Sequence, residues 1–326
     1  MLRSEHALSR NLRGRREAVC AVHSISRFVF SVPDLEEARR FYTEFGLDTR
    51  RVGDRLDLYA HGHAHCWAQI YATGQAKTLE YLALGIYERD LEVMRARIDR
   101  HQIDCQAHPM SDGGGLWLNS PDGVPIQLLV CPKVSPDAKS PQAPATVSLA
   151  GPAAASSRRM PQPTRPRHLS HIALFTRDVE RMVRFSTDIL GLRLSDQSGD
   201  VMAFVHTPHG GEHHLLAFAK SSAPGLHHSG WDVGSIDEVG QGAMQMRLQG
   251  YGRGWGLGRH QLGSNYFHYV RDPWGSFAEY SFDIDFVPAG SPRPASVHPA
   301  EDSLCAWGPE VPDDFDKNHE TPWRDH

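Results

Sequence analysis

Two stretches of this chain repeat one another, and that repetition limits the fold more than any other feature of the sequence. SRFVFSVPDLEEARRFYTEFGL begins at Ser26, and SHIALFTRDVERMVRFSTDILGL begins at Ser170. Each reads as a short strand, then an aspartate in helix N-cap position (Asp34, Asp178), then an amphipathic helix. The apolar stripe of the first helix is Leu35, Ala38, Phe41 and Phe45. It recurs as Val179, Met182, Phe185 and Ile189, and Gly46 and Gly191 end the two helices. Farther on, LEYLALGI around Tyr81 matches LHHSGWDV around His228. SPDGVPIQLLV matches DPWGSFAEYSF, each a tight turn feeding a final strand. Three matches in one order mark a duplication, because a single coincidence of helix patterns is common. A unit of one strand, one helix and several strands buries its sheet best by pairing with a second. The expectation is an α+β fold of two duplicated modules, each of paired βαβββ units forming a half-closed, cup-shaped sheet.

Residues 132–167 separate the repeats and are rich in Pro, Ala and Ser, without periodicity, which predicts an exposed linker. The chain then divides into a flexible N-terminal tail (1–21), an N-terminal module (22–131), the linker, a C-terminal module (168–285) and a C-terminal extension (286–326). The extension is rich in Pro and acidic residues and is expected to wrap the surface or be partly disordered. The basic N-terminus has no apolar h-region, and no run approaches the roughly 18 apolar residues of a membrane helix. The five cysteines are odd in number and scattered, so they read as free thiols in a cytoplasmic protein. Against 34 basic side chains stand 39 acidic ones, a net charge of -5, which gives no reason to expect a nucleic-acid or membrane partner.

Duplication allows each half to be read against the other. Arg27 stands where His171 stands in the second copy, Tyr81 where His228 stands, and Gln127 where Glu279 stands. All three second-copy residues are metal-ligand types, and the first-copy set is not. Taken alone, His171 is a polar strand residue and Glu279 a solvated one; three equivalent positions of one sheet are a site. Two imidazoles and one carboxylate make the facial triad of non-haem iron(II) enzymes, with about three coordination positions left open. His227 and His228 are adjacent, so in a regular strand they point to opposite faces and only one can be a ligand. Parity does not choose between them.

From 22 to 285 the chain resembles the type I extradiol ring-cleavage dioxygenases of the vicinal oxygen chelate superfamily. SHIALFTRDV resembles the family's first-ligand strand, LHHSGWDV its His-His pair and DPWGSFAEY its final ligand strand. The resemblance implies His171, His228 (the latter of the pair) and Glu279 as metal ligands, with Fe2+ as cofactor and Mn2+ fitting the same set. EHHLLAF and GRHQLGSNYFHYV carry over three catalytic positions. His214 would be an acid/base beside dioxygen, and His260 and Tyr269 would bind the catechol oxygens. Ala173 stands where some relatives carry a polar residue. Trp231, Phe267 and Trp255 read as packing or loop residues before they read as pocket liners. The activity implied is insertion of both atoms of O2 into a catechol-type aromatic, next to the two hydroxyls, in aromatic hydrocarbon catabolism. A bicyclic or alkyl-substituted catechol is the expected substrate, and a homo-oligomer the expected assembly. One rival is a glyoxalase-type metal-dependent isomerase or lyase of the same superfamily. It commonly draws ligands from both halves, which the triplet Arg27, Tyr81 and Gln127 disfavours. The other rival, a non-enzymatic drug-binding resistance protein, would need neither the open metal site nor His214, His260 and Tyr269.

Overall fold

The structure is a computed structural model and describes residues 19–143 and 162–320. Most of the expected N-terminal tail and the middle of the linker lie outside the described residues. The first module runs β1 (Ser24–Val32), α1 (Leu35–Glu44), β2 (Asp48–Val52), β3 (Arg55–Tyr59), β4 (Cys66–Ala72), β5 (Thr78–Ile86), α2 (Leu91–Arg100), β6 (Leu116–Asn119) and β7 (Pro125–Val130). The second runs β8 (His168–Thr176), α3 (Val179–Asp188), β9 (Arg193–Ser198), β10 (Met202–His206), β11 (Gly211–Glu212), β12 (Leu216–Lys220), β13 (Gly225–Asp232), α4 (Ile236–Leu248), β14 (Gly254–Arg259), β15 (Tyr266–Arg271) and β16 (Phe277–Phe282). The extension adds β17 (Phe286–Val287) and β18 (Ser296–His298).

The helices begin where the sequence says they should. Asp34 accepts from the Glu36 amide and Asp178 from the Arg181 amide, satisfying donors that the first helical turn leaves open. Gly46 and Gly191 follow at positive φ, which a side chain would resist. Both apolar stripes are buried.

The sheets run β2-β3-β4-β1-β5-β7-β6 and β14-β15-β16-β13-β8-β12-β10-β9-β18. Seven strands of the second occupy the same relative places as the seven of the first. The match extends to register: Arg27 pairs with Ala83 and Ala83 with Gln127, while His171 pairs with Gly230 and Gly230 with Glu279. One difference stands out. The second unit of the first module is βαββ, not βαβββ, because nothing in it corresponds to β14. The chain there runs SDGGG from Ser111, and glycines at positive φ (Gly113, Gly115) hold an irregular loop in place of a strand.

Strand alternation sorts side chains to two faces. Phe28, Phe30 and Val32 of β1, like Ile172 and Leu174 of β8, enter one hydrophobic core that runs through both modules beneath the helices. Each such side chain, when fully buried, contributes roughly 1.5–3 kcal/mol. The opposite faces are the two cups. Val29, Tyr81, Ala83 and Trp117 fill the first with a small apolar cluster of its own. Between modules, Tyr280 donates to the Phe45 carbonyl at 2.8 Å, Arg97 to the Ile189 carbonyl at 2.8 Å, and Lys77 and Asp272 form a buried ion pair. All five cysteines are free. No helix among the described residues is long and apolar enough to cross a membrane.

The extension does more than wrap the surface. β17 pairs with β11, and β18 joins the edge of the nine-stranded sheet beside β9. Phe315 is then buried among Trp255, Phe267, Tyr269 and Phe277. Glu320 accepts from the amides of Leu79 and Leu226, which occupy equivalent positions in the two modules.

Candidate metal centre

Three central strands of the second cup carry the expected ligands. His171 on β8 and Glu279 on β16 flank Gly230 on β13 in one row of the sheet, and His228 lies in the next row opposite Ala173. A Cβ at position 230 would stand 2.2 Å from His171 Cε1, so the imidazole occupies space that only glycine leaves free. The ring thereby lies flat across β13 and reaches the glutamate.

His171 Nε2 stands 3.2 Å from His228 Nε2 and 3.0 Å from Glu279 Oε2, and His228 Nε2 stands 3.5 Å from the same oxygen. Ligands at adjacent corners of an octahedron with bonds of about 2.1 Å are about 3 Å apart, so the donor set fits one small divalent cation. The far side of each group is occupied. His171 Nδ1 meets Ser170 Oγ at 3.1 Å, His228 Nδ1 meets His227 Nδ1 at 2.7 Å, and Asn265 Nδ2 donates to Glu279 Oε1 at 3.0 Å. Such outer bonds fix the tautomers and aim the remaining lone pairs at the centre. Burial, reinforced by the neighbouring histidines, holds His228 well below its ordinary value and hence neutral, as a ligand must be.

The strand-parity argument about His227 and His228 fails here. β13 bulges between Leu226 and His228, so two residues oppose one on β8, and both rings line the same cavity. His227 is the ring behind His228, packed between Phe175 and Phe315 at centroid distances of 4.8 Å, and burial lowers it to about 3. Sequence reasoning missed His227, Asn265 and Gly230 as parts of the site. A glycine in register between two ligand strands was a usable signal; the bulge left none.

The expected catalytic residues gather around the same point. His214, between β11 and β12, lies with its ring 4.2 Å from that of His171. Burial first, then the surrounding imidazoles, push it well below the usual histidine range. Tyr269 on β15 pairs with Glu279 on β16 and has its hydroxyl 2.8 Å from His260 Nε2. His260 Nδ1 donates to the Leu304 carbonyl at 2.7 Å, so Nε2 is the acceptor and the tyrosine the donor. Burial raises Tyr269 well above its ordinary value and lowers His260, keeping both neutral.

A cavity of about 580 Å³ opens over these groups. His171, His228, His214, His260 and Tyr269 form its polar end, and Met202, Phe204, Ala217, Leu262, Leu304 and Val311 contribute apolar wall. Part of that wall therefore comes from the extension. Trp231 belongs to the main core, while Trp255 and Phe267 pack behind His260 and Tyr269; none of the three lines the cavity. A second grouping of metal-binding types, His168, Glu212 and Asp232, is closed on itself. Both nitrogens of His168 face carboxylates and Arg167 bonds Asp232 at 2.7 Å, which makes a balanced salt-bridge network under β8.

Comparison with known proteins agrees with this geometry. Residues 168–280 match the model of the Glyoxalase/Bleomycin resistance protein/Dioxygenase superfamily. The chain is 49% identical over 301 residues to Metapyrocatechase 2 of Cupriavidus necator, covering 92% of this chain and 93% of that one. Among solved structures it superposes on a manganese(II)-bound glyoxalase of Novosphingobium aromaticivorans at 27% identity, with a TM-score of 0.73 and 93% and 96% of the two chains covered. It shares its fold with a catechol 2,3-dioxygenase at 19% identity, with a TM-score of 0.70 and 92% and 98% covered. The chain belongs to the extradiol dioxygenases of the Glyoxalase/Bleomycin resistance protein/Dioxygenase superfamily. It is an enzyme of the catechol 2,3-dioxygenase type.

Proposed function

We propose that this protein cleaves an apolar-substituted catechol next to its two hydroxyls, using O2 and an Fe2+ ion held by His171, His228 and Glu279. The observation that carries the reading is the convergence of two imidazole nitrogens and one carboxylate oxygen, all from one module, at the polar end of an open cavity. The bound ion would supply the electronic path between the aromatic ring and dioxygen. Mn2+ fits the same donors, and metal analysis of active protein decides between the two.

The protein's own groups handle orientation and protons. Tyr269 gives its hydrogen to His260, so the lone pairs of its oxygen remain to accept from a catechol hydroxyl. A proton arriving at Tyr269 Oη releases the tyrosine's own to His260 Nε2. The resulting imidazolium is stabilised by the Leu304 carbonyl and by Glu279 Oε1, 3.9 Å away. His214 is kept neutral and faces the cavity, ready to accept a proton and return it to reduced oxygen. The apolar part of the wall suits an apolar substituent, and Lys220, the lysine among the lining residues, is exposed and paired with Asp200. A cavity of this size has room for an alkyl or aryl substituent besides the catechol ring. Cytoplasmic location and assembly as a homo-oligomer belong to the same reading.

Anaerobic Fe2+ loading, followed by a panel of neutral and carboxylated catechols with oxygen uptake and product absorbance recorded, tests it. Uptake with a coloured ring-fission product from 3- or 4-alkyl or aryl catechols is expected. Metal binding without oxygen uptake on any catechol would favour a glyoxalase-type isomerase. His214→Phe is expected to keep iron and catechol binding and to slow turnover at least about 100-fold.

A further inference from the structure

Behind His214 a line of buried polar groups leads away from the cavity. His213 Nδ1 lies 3.0 Å from His214 Nδ1, and His213 Nε2 lies 2.6 Å from Asp196 Oδ2. The same carboxylate oxygen accepts from Arg293 at 2.8 Å, and His298 Nε2 is 3.5 Å from the other oxygen. Ser195 donates its hydroxyl to the His213 carbonyl and meets His206 Nδ1 at 2.7 Å. His213 itself is fully buried. Arg293 and His298 both belong to the extension, which has no counterpart in the first module.

The direction of every hydrogen in this line follows from its far end. Arg293 and His213 keep the Asp196 carboxyl ionised, near 2 despite partial burial, so it can only accept. His213 must then carry its hydrogen on Nε2. Burial holds the ring neutral, so its Nδ1 is a bare lone pair. A lone pair 3.0 Å from His214 Nδ1 requires the hydrogen of His214 to be on Nδ1. The nitrogen that His214 has left for the cavity is a bare Nε2.

We propose that Asp196 and His213 are positioning residues that lock His214 in its Nδ1–H form, so that it meets the substrate as a proton acceptor. This rests on the role given to His214 above and extends it to residues outside the cavity. A carboxylate that sets the tautomer of a working histidine is a known source of large rate effects, since the wrong tautomer keeps the shape and loses the function. Here a second imidazole stands between the two.

Two substitutions at one position separate this role from simple packing. His213→Phe fills the space but removes the lone pair that holds His214. His213→Asn can place its amide oxygen where Nδ1 stood, restoring an acceptor. With Fe2+-loaded protein, His213→Phe is expected to lower kcat at least about tenfold while iron content and the KM for catechol stay within about twofold. His213→Asn is expected to recover most of that loss. Independently of turnover, 15N-histidine spectra of the metal-free protein should show the hydrogen of His214 on Nδ1 and that of His213 on Nε2, with assignment by the His214→Phe and His213→Asn variants. A wild-type His214 carrying its hydrogen on Nε2 would overturn the proposal, as would unchanged kcat in His213→Phe, or His213→Asn no better than His213→Phe. If the wild-type protein cleaves no catechol, the reading of the site fails by itself. The spectra still decide the tautomer.

Discussion

The two cups of this molecule share a backbone frame and differ in what that frame holds. In the first, the row Arg27–Ala83–Gln127 is sealed by Trp117 and Tyr81, and Gln127 donates to Asp112 and to the Gly114 carbonyl of the glycine loop that replaces a strand. Arg27 stands 3.8 Å from the same aspartate. In the second, His171 of the row His171–Gly230–Glu279 opens onto a cavity, which Tyr269 of β15, the loop carrying His260, Leu262 and Asn265, and the extension help to wall. A site thus needs room as well as donors. The first cup has neither, and it contributes core and sheet in their place.

Exchanging residues between equivalent positions breaks this comparison most severely at the ligands. Replacing His171, His228 or Glu279 singly by its first-module counterpart (His171→Arg, His228→Tyr, Glu279→Gln) should abolish metal retention and oxygen uptake. The loss should exceed the roughly 100-fold that outer partners cost, as read by metal analysis after desalting. Next comes Gly230→Ala, which imports Ala83. Its methyl would displace the His171 ring, lowering metal affinity by about 10- to 100-fold and stability by about 1–3 kcal/mol. Unchanged metal affinity would show that the ring can move aside.

The third test concerns the carboxylate that touches both halves. Burial pushes Glu320 up to about 7, above its ordinary 4.5. The folded protein therefore holds the proton more tightly than the unfolded chain does, and stability falls as pH rises between those values. The change is about 3 kcal/mol at most, absent in Glu320→Gln, and denaturant melts at pH 5 and 7.5 measure it. The smallest effect is expected from Asn265→Ala, which frees Glu279 Oε1 and should weaken metal binding about tenfold with little change in melting temperature.

Much of this was readable before any coordinates. The register equivalence of Arg27 with His171, Tyr81 with His228 and Gln127 with Glu279 holds residue for residue, because a buried sheet face cannot slip without turning its side chains over. The N-caps Asp34 and Asp178 were legible for a local reason, since the bond they make lies within three residues. The bulge at His227 was not, because strand periodicity assumes a regular pleat and nothing in LHHSGWDV marks the extra residue. Nor was the fate of the extension. It carries no periodic pattern, and its anchors (Phe315 on His227, Leu304 on His260, Arg293 on Asp196) meet partners 44 to 97 residues distant in the chain, invisible to any local rule.

The extension also sets an order of events. A ribosome delivers Glu279 some twenty-five residues before Leu304 and still earlier than Phe315 and Glu320, and domains tend to fold as they emerge. A nascent chain can therefore assemble the ligand trio while one flank of the chamber is still in the exit tunnel. That flank closes only after residues 304–320 have emerged, so the three donors and the cavity over them come together at different moments in the molecule's life.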